Sequence, residues 1–375
     1  MMRIAMLGHK RVPSREGGIE VVVEELSTRM VALGHHVTCY NRNRKNVSVE
    51  EKLSDKINEY RGVRIKRVFT YDKKGYAAVT SSFFAAWKAA LGPYDVIHFH
   101  AEGPAAVLWI PKMFGKRCVV TVHGLDHQRE KWGGFASRYI LFGEKCAVKF
   151  ADEIIVLSKA VQQYFMDLYG RETRFIPNAV NRPVLRKSNL INKFGIESRE
   201  YILYMARLVP EKGLKYLIEA YKHINTDKKL VISGSIFYLD EFYQEVRKMA
   251  EDDERIIFTD FVDGELLEEL FSNAYVYTLP SDLEGMPMSL LEAMSYGNCC
   301  LVSDIPECTE VVNDKAVIFK KGNVEELREK LQMLCDNEHI VEEYRSMTSD
   351  YICDKYKWDD VVEQTLELYK KTKKK

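Results

Sequence analysis

The sequence predicts an α/β protein made of two consecutive, doubly wound, Rossmann-like parallel sheets. Short apolar runs of strand length alternate with amphipathic stretches of helical period along nearly the whole chain. That alternation breaks near Val180 to Asn192, where Pro183 interrupts regular structure, and then begins afresh. A chain of 375 residues, 46% of them hydrophobic, also suits two ordinary cores better than one very large one. The predicted domains are 1–182, to which the last segment, 358–375, crosses back, and 183–357.

In the first domain Arg3 to Leu7 reads as a buried strand, Ile19 to Leu33 as an amphipathic helix stopped by Gly34, and His36 to Tyr40 as a second strand. Val63 to Val68, Val96 to His100, Arg117 to Val122, Glu153 to Leu157 and Arg174 to Ile176 follow as strands. The second domain offers Tyr201 to Met205, Lys229 to Ser233, Arg255 to Thr259, Tyr275 to Leu279 and Cys299 to Val302. Strand, helix, strand repeated in this way calls for parallel sheets. Trp358 to Tyr369 is a closing amphipathic helix.

Net charge is zero, but it is unevenly spread. Residues 1–182 hold 29 Lys and Arg against 18 Asp and Glu, so the remainder, with 26 against 37, carries the opposite excess. The basic half reads as facing something anionic. Arg42 to Lys45, Lys73, Lys74, Lys112, Lys116, Arg117, Arg129, Lys131, Arg138, Lys145 and Lys149 are interleaved with Phe83, Phe84, Trp87, Trp109, Phe114 and Trp132. That mixture suits an anionic membrane surface or a lipid-linked phosphate, with ordinary solvated faces as the alternative. Nucleic acid is not expected, because no recognition helix, zinc finger or RNA motif accompanies the charge. The eight cysteines form no C-x-x-C pair and read as reduced, buried thiols of a cytoplasmic protein. The opening apolar run is too short for a secretory signal, and no segment reaches the length of a membrane span.

The most informative stretch is Glu284 to Glu292. A strand ends at Pro280, Gly285 permits an unusual backbone turn, and Pro287 suits the first turn of a helix running from about Met288 to Tyr296, with Gly297 as its stop. Glu284 then lies in the loop before the helix and Glu292 more than one turn inside it, while the free N–H groups of the helix start point toward an anion. Two solvated surface glutamates are the alternative. Upstream, Arg207 and Lys212 follow a strand directly, and an arginine fork beside a lysine point charge can neutralise a diphosphate. Gly17 and Gly18 follow the first strand and could bring backbone N–H groups to a phosphate, or form a bare turn. Neither G-x-G-x-x-G nor G-x-x-x-x-G-K-[ST] occurs. His98 and His100 alternate on one strand face without an evident third ligand and are assigned to structure.

Taken together, Gly17 and Gly18, Thr121 to Gly124, Ser158, Ile176 to Asn178, Arg207 with Lys212, Glu284 with Glu292 and the Trp358 helix resemble the retaining, GT-B-fold glycosyltransferases of family four over nearly the whole chain. The resemblance implies two Rossmann-like domains facing across a cleft, with an acceptor-binding first domain and a second domain that binds a nucleotide sugar. It implies that Arg207 and Lys212 hold the donor diphosphate, Glu292 the ribose and Glu284 the transferred sugar, with Gly285 and Met286 beside it. His123, at a strand end, is implied to reach the reacting sugar. Catalytic candidates are thus Glu284, Arg207, Lys212 and His123; donor-binding candidates are Gly17, Gly18, Arg207, Lys212, Gly285, Met286 and Glu292. Ala206 and Ala179 stand where the family often has glycine, and Gly234 with Ser235 keeps only part of a glycine-rich turn.

The implied reaction is metal-independent transfer of a hexosyl or deoxyhexosyl unit with retained anomeric configuration, domain closure excluding water. No cofactor is expected beyond the donor substrate, UDP- or dTDP-linked. Asn41, Arg42 and the segment His123 to Trp132 look like those of bacterial polysaccharide-assembly enzymes, some of them rhamnosyltransferases. That likeness implies capsule, exopolysaccharide or cell-wall glycan synthesis on a polyprenyl-diphosphate-linked acceptor, at the inner face of the membrane. Asp126, Arg129 and Lys131 are the acceptor candidates, an exposed polar loop being the rival reading. A sugar-nucleotide epimerase, a phosphorylase of the same layout and a non-enzymatic sugar-nucleotide-binding protein are the alternatives.

Overall fold

A computed structural model describes residues 1–43, 57–71, 73, 75–128, 134–234 and 241–370. Arg44, Lys45, Lys74, Arg129, Lys131, Trp132 and Ser235 lie outside the described residues. The chain divides into two compact units, Met1–Asn178 with the segment from Trp358 onward, and Ala179–Lys357. The change of unit falls after Asn178, not after Arg182.

The first unit contains β1 (Arg3–Leu7), β2 (His36–Arg42), β3 (Glu59–Tyr60), β4 (Val63–Val68), β5 (Val96–His100), β6 (Arg117–Val122), β7 (Glu153–Val156) and β8 (Arg174–Phe175). They are ordered β3-β4-β2-β1-β5-β6-β7-β8. Seven strands run parallel, and the expectation of a purely parallel sheet is corrected at one edge. There β3 pairs antiparallel with β4 across a tight turn in which Arg61 and Gly62 take φ of 46° and 78°. A two-residue strand gives too short a pattern to be read from sequence. Phe99 and Phe165 are fully buried in this unit's core, each worth roughly 1.5–3 kcal/mol of apolar transfer.

The closing helix, Trp358–Tyr369, belongs to this unit. Its Tyr369 hydroxyl lies 2.6 Å from His98 Nδ1. Arg117 donates to Leu368 O through Nε and Nη2 at 2.9 and 2.6 Å, satisfying a carbonyl that the helix end leaves open. No helix among the described residues is long and apolar enough to cross a membrane.

The second unit contains β9 (Tyr201–Met205), β10 (Lys229–Ser233), β11 (Ile256–Asp260), β12 (Val276–Leu279), β13 (Cys299–Ser303) and β14 (Val317–Phe319). The order β11-β10-β9-β12-β13-β14 is parallel throughout. The three-residue edge strand β14 was not expected. Tyr204, Tyr221 and Phe319 are buried in a core cluster on one face of this sheet. All eight cysteines are free, seven of them buried and Cys335 partly so.

In each unit the chain reverses its direction of travel across the sheet between the first strand and the fourth of the doubly wound set. These points are β1/β5 in the first unit and β9/β12 in the second. Ligands of open α/β sheets bind outside the carboxyl ends of the strands at such a reversal.

Candidate functional site

In the second unit the residues singled out from sequence meet at the β9/β12 reversal. Arg207 lies just past the end of β9 and is half-buried. Pro210–Lys212 then make a single 3-10 turn, which ends at Gly213 with φ 68° before the Leu214–Lys222 helix. Glycine is demanded there twice over: by the left-handed backbone, and because a Cβ would stand 1.9 Å from Pro280 O at the end of β12. The same close approach lets Asp282 N donate to Glu211 O at 2.9 Å, so the loops after β9 and β12 are stitched together.

That stitching brings Lys212 to Glu284. Lys212 Nζ donates to Glu284 Oε1, and Ser281 Oγ donates to the same oxygen at 2.8 Å. Ser303 Oγ, at the end of β13, in turn donates to Ser281 O at 2.5 Å. Both charged side chains are buried; a carboxylate taken out of water in this way requires such charge-assisted donors. Asp282 accepts from Tyr216 Oη at 3.1 Å.

The helix after this loop is Met288–Ser295, with Pro287 as its cap residue and Gly297 at φ 74° just past its end. Pro287 therefore precedes the helix. Gly285, where an unusual turn was expected, has no positive φ; in this site the left-handed glycine is Gly213. Tyr277 Oη lies 3.2 Å from Met205 O and 2.9 Å from Ser289 Oγ, which fixes the helix start against the end of β9. Met286 is buried and Glu292, the fifth residue of the helix, is half-buried. Gly234, after β10, packs so closely that a Cβ would be 1.8 Å from Ala206 O.

Two residues of this region were not singled out from sequence. Glu307, in the first turn of the Pro306–Val312 helix, has its carboxyl pushed up, chiefly by burial and further by the charge of Glu284. Tyr204 is fully buried beside Arg207, Glu211 and Glu284. Neither carries a spacing signal: Tyr204 is one apolar residue among others in β9, and Glu307 comes from the helix after β13.

In the first unit the β1/β5 reversal is equally tight. Gly8 has φ 103°, and a Cβ there would come 2.2 Å from His100 O. Asn41 ties the following loop down: its Oδ1 is 3.1 Å from His9 Nε2 and accepts from Val12 N at 3.1 Å, and its Nδ2 donates to Val12 O at 2.9 Å. Gly17 is extended, a conformation open to any residue. A Cβ there would be 2.5 Å from Glu20 Oε2, the far end of a flexible side chain that would have to shift. Glu20, in the first turn of the Gly18–Ala32 helix, accepts from Lys10 N at 2.9 Å.

His123 follows β6, and its Nε2 is 3.1 Å from His100 Nδ1. His98 is bonded on both sides, to Tyr369 and to Thr121 Oγ1 at 2.7 Å. Burial holds His98 at about 3 and lowers His100 well below the ordinary range, so these two histidines are neutral. Asp126 N donates to Glu102 Oε2 at 2.9 Å. Ser158 caps the Lys159–Tyr169 helix by accepting from Val161 N at 3.2 Å.

Two doubly wound sheets of the same strand order, the second with basic groups and a helix start gathered at its reversal, define an α/β protein of the GT-B type. The fold resembles that of Anabaena Alr3699/HepE in its complex with UDP and glucose, with a TM-score of 0.80 at 16% identity over 98% of this chain and 99% of that one.

The chain belongs to the family described as glycosyl transferases group 1, whose model matches residues 186–374, and residues 16–182 match that of glycosyltransferase family 4. It is a glycosyltransferase. An uncharacterized glycosyltransferase of Methanocaldococcus jannaschii, MJ1607, is 23% identical, with 98% of each chain covered. An Escherichia coli UDP-Gal:alpha-D-GlcNAc-diphosphoundecaprenol alpha-1,3-galactosyltransferase is 27% identical over 56% of this chain and 58% of its own.

Proposed function

We propose that this protein transfers a hexosyl or deoxyhexosyl unit, with retention and without a metal in the reaction, from a nucleoside-diphosphate sugar to a hydroxyl of a lipid-linked glycan. The observation that carries this reading is the gathering of Arg207, Lys212 and Glu284 with the Met288–Ser295 helix start at the β9/β12 reversal. Arg207 and Lys212 supply positive charge to a diphosphate leaving group as its charge grows, which is the largest electrostatic demand of the reaction. The helix N–H groups add partial positive charge without a side chain. Glu284 accepts hydrogen bonds from hydroxyls of the transferred sugar, and Glu292 accepts them from the ribose. Gly285 and Met286 form the wall between these groups. UDP or dTDP is the proposed carrier.

For the acceptor, the first unit supplies Asp126, Arg129 and Lys131 as candidates; His123 is the candidate to reach the reacting sugar, and Gly17 with Gly18 remain donor-side candidates as a phosphate-approach turn. The Escherichia coli relative's name, which specifies a diphosphoundecaprenol-linked sugar as acceptor, supports a polyprenyl-diphosphate acceptor here and a role in capsule, exopolysaccharide or cell-wall glycan synthesis. Peripheral membrane contact is drawn from exposed aromatic groups in the first unit. Phe69, Phe83 and Phe84 form an exposed edge-to-face run with ring centroids 5.2 and 5.5 Å apart, and Trp109, Met113 and Phe114 are exposed as well. Such side chains beside Lys88 suit an anionic lipid surface.

The test is a panel of UDP- and dTDP-sugars, scored first for thermal stabilisation and donor hydrolysis and then with polyprenyl-diphosphate acceptors. Product that keeps the donor's anomeric configuration and requires an acceptor is expected. Turnover without acceptor, or only with free phosphate, would point to an epimerase or phosphorylase; stabilisation without any turnover would leave a binding protein.

A further inference from the structure

Away from the donor site, three acceptor atoms meet inside the first unit. Glu102 begins the Glu102–Ala105 helix after β5, His127 lies in the Asp126–Gln128 turn, and Glu144 lies within the Gly134–Phe150 helix. Both glutamates are fully buried. His127 Nδ1 stands 3.4 Å from Glu144 Oε2 and 3.9 Å from Glu102 Oε1. These same three atoms are buried and have no hydrogen-bond partner among the described residues. The second oxygen of each carboxylate is engaged by a neutral donor: Glu102 Oε2 by Asp126 N at 2.9 Å, Glu144 Oε1 by Tyr164 Oη at 3.0 Å and by Tyr169 Oη. The two helices are pressed together at Gly143, where a Cβ would come 2.1 Å from Glu102 O.

The geometry points to a divalent-cation site, with Glu102 Oε1, His127 Nδ1 and Glu144 Oε2 as ligands and Zn²⁺ as the ion of first choice. Two buried carboxylates facing one another need either a shared proton or a cation. A tetrahedral zinc ion with ligands at ~2.0–2.1 Å sets neighbouring ligand atoms ~3.4 Å apart; the two separations from His127 are 3.4 and 3.9 Å, and all three atoms lie within 4.8 Å of one another. Asp126 N, Tyr164 and Tyr169 orient the ligands from outside, as outer-shell groups of metal sites do, and the fourth position is left for water. The ion ties the Asp126–Gln128 turn to two helices. It is a structural ion and takes no part in the transfer chemistry proposed above. The rival state is a proton: burial first, and then the facing Glu144 carboxyl, raise the Glu102 carboxyl well above its usual range. Glu144 goes the other way, to about 2, because the facing His127 and Glu102 and the two donating tyrosines outweigh its burial.

The full chain, dialysed against a chelator, is titrated with Zn²⁺ in competition with a chromophoric chelator, and its melting is followed with and without the ion. One tight equivalent that raises Tm is expected, with affinity reduced at least ~10-fold in His127→Ala and Glu144→Gln, in line with the sensitivity of metal sites to their ligand shells. Co²⁺ as a probe separates this site from the eight cysteines: absorption of a tetrahedral oxygen and nitrogen site without sulfur charge transfer is expected. The proposal is overturned if Zn²⁺ shifts the wild-type Tm no more than that of His127→Ala, or if the cobalt spectrum shows thiolate ligation. It is equally overturned if Glu102→Gln, whose amide mimics a protonated acid, matches the wild type in both melting and ion binding.

Discussion

Lys212 and Glu284 form an ion pair from opposite sides of the β9/β12 reversal, with side chains only 10% and 5% exposed. The pair is neutral as a unit. On the proposed function, a diphosphate that draws Lys212 toward itself would leave Glu284 able to accept from sugar hydroxyls, coupling donor binding to sugar orientation through one contact. Breaking a buried pair by removing one partner strands the other, at a cost of roughly 3–5 kcal/mol, whereas removing both avoids the stranded charge. Lys212→Ala is therefore expected to melt well below wild type, and Lys212→Ala/Glu284→Ala to recover part of that loss without recovering transfer. Equal melting of the single and double variants would show that the two side chains are not coupled.

Arg207 is half-buried and sits directly after β9. Its removal is expected to lower kcat/KM by roughly 10²–10³, the cost of one donor aimed at developing charge, with little change in Tm. Glu284→Ala is expected to lower transfer steeply as well. Near-normal steady-state rates for both variants would refute the assignment of the site.

Gly213 and Gly297 both take positive φ, 68° and 74°, yet differ in surroundings. A Cβ at Gly213 would collide with Pro280 O at 1.9 Å, while at Gly297 the nearest atom is 3.6 Å away. Gly297→Ala should lose only the backbone strain, about 1–3 kcal/mol; Gly213→Ala should lose clearly more and also weaken nucleotide binding. Calorimetric melting of the two variants checks the ranking, and an equal loss would contradict the close approach of the two loops.

Burial lowers His98 to about 3 and His9 to about 4 from an ordinary 6.5. Folded, both stay neutral; unfolded, both take up protons below about pH 6.5. Their contribution to stability is thus complete above that pH and is lost as pH falls toward 4 and then 3, by ~1.4 kcal/mol per pH unit for each histidine. Melting measured at about pH 7.5, 6 and 5 should follow this slope. Replacing His98 with Gln should flatten it, and a flat wild-type profile would remove the argument for neutral buried histidines.

Phe83 and Phe84 are partly exposed on the Tyr76–Ala90 helix, against exposed Phe69. Co-sedimentation with vesicles rich in anionic lipid is expected, weakening roughly thirtyfold in Phe83→Ser/Phe84→Ser as ~1 kcal/mol of apolar transfer is lost at each of the two rings. Binding that ignores both substitution and lipid charge would dismiss this face as the membrane contact.

Much of the architecture was legible because its signals are local. Apolar runs such as Tyr201 to Met205 and breakers such as Gly34 and Gly297 act within a few residues, so strand and helix positions are written along the chain. The short edge strands β3 and β14 were not, since two or three residues hold no period. Part of the candidate site was legible for the same local reason: Arg207 lies just past the end of one strand, and Lys212 and Glu284 lie in the loops that follow two strands. That Lys212 and Glu284 bond to each other, that Gly213 and not Gly285 makes the left-handed turn, and that Glu102, His127 and Glu144 converge were decided only by tertiary structure. These contacts depend on which strands lie side by side and on how closely backbones approach at Gly213 and Gly143. Such approaches are set by packing summed over the whole unit, which no short stretch of sequence contains.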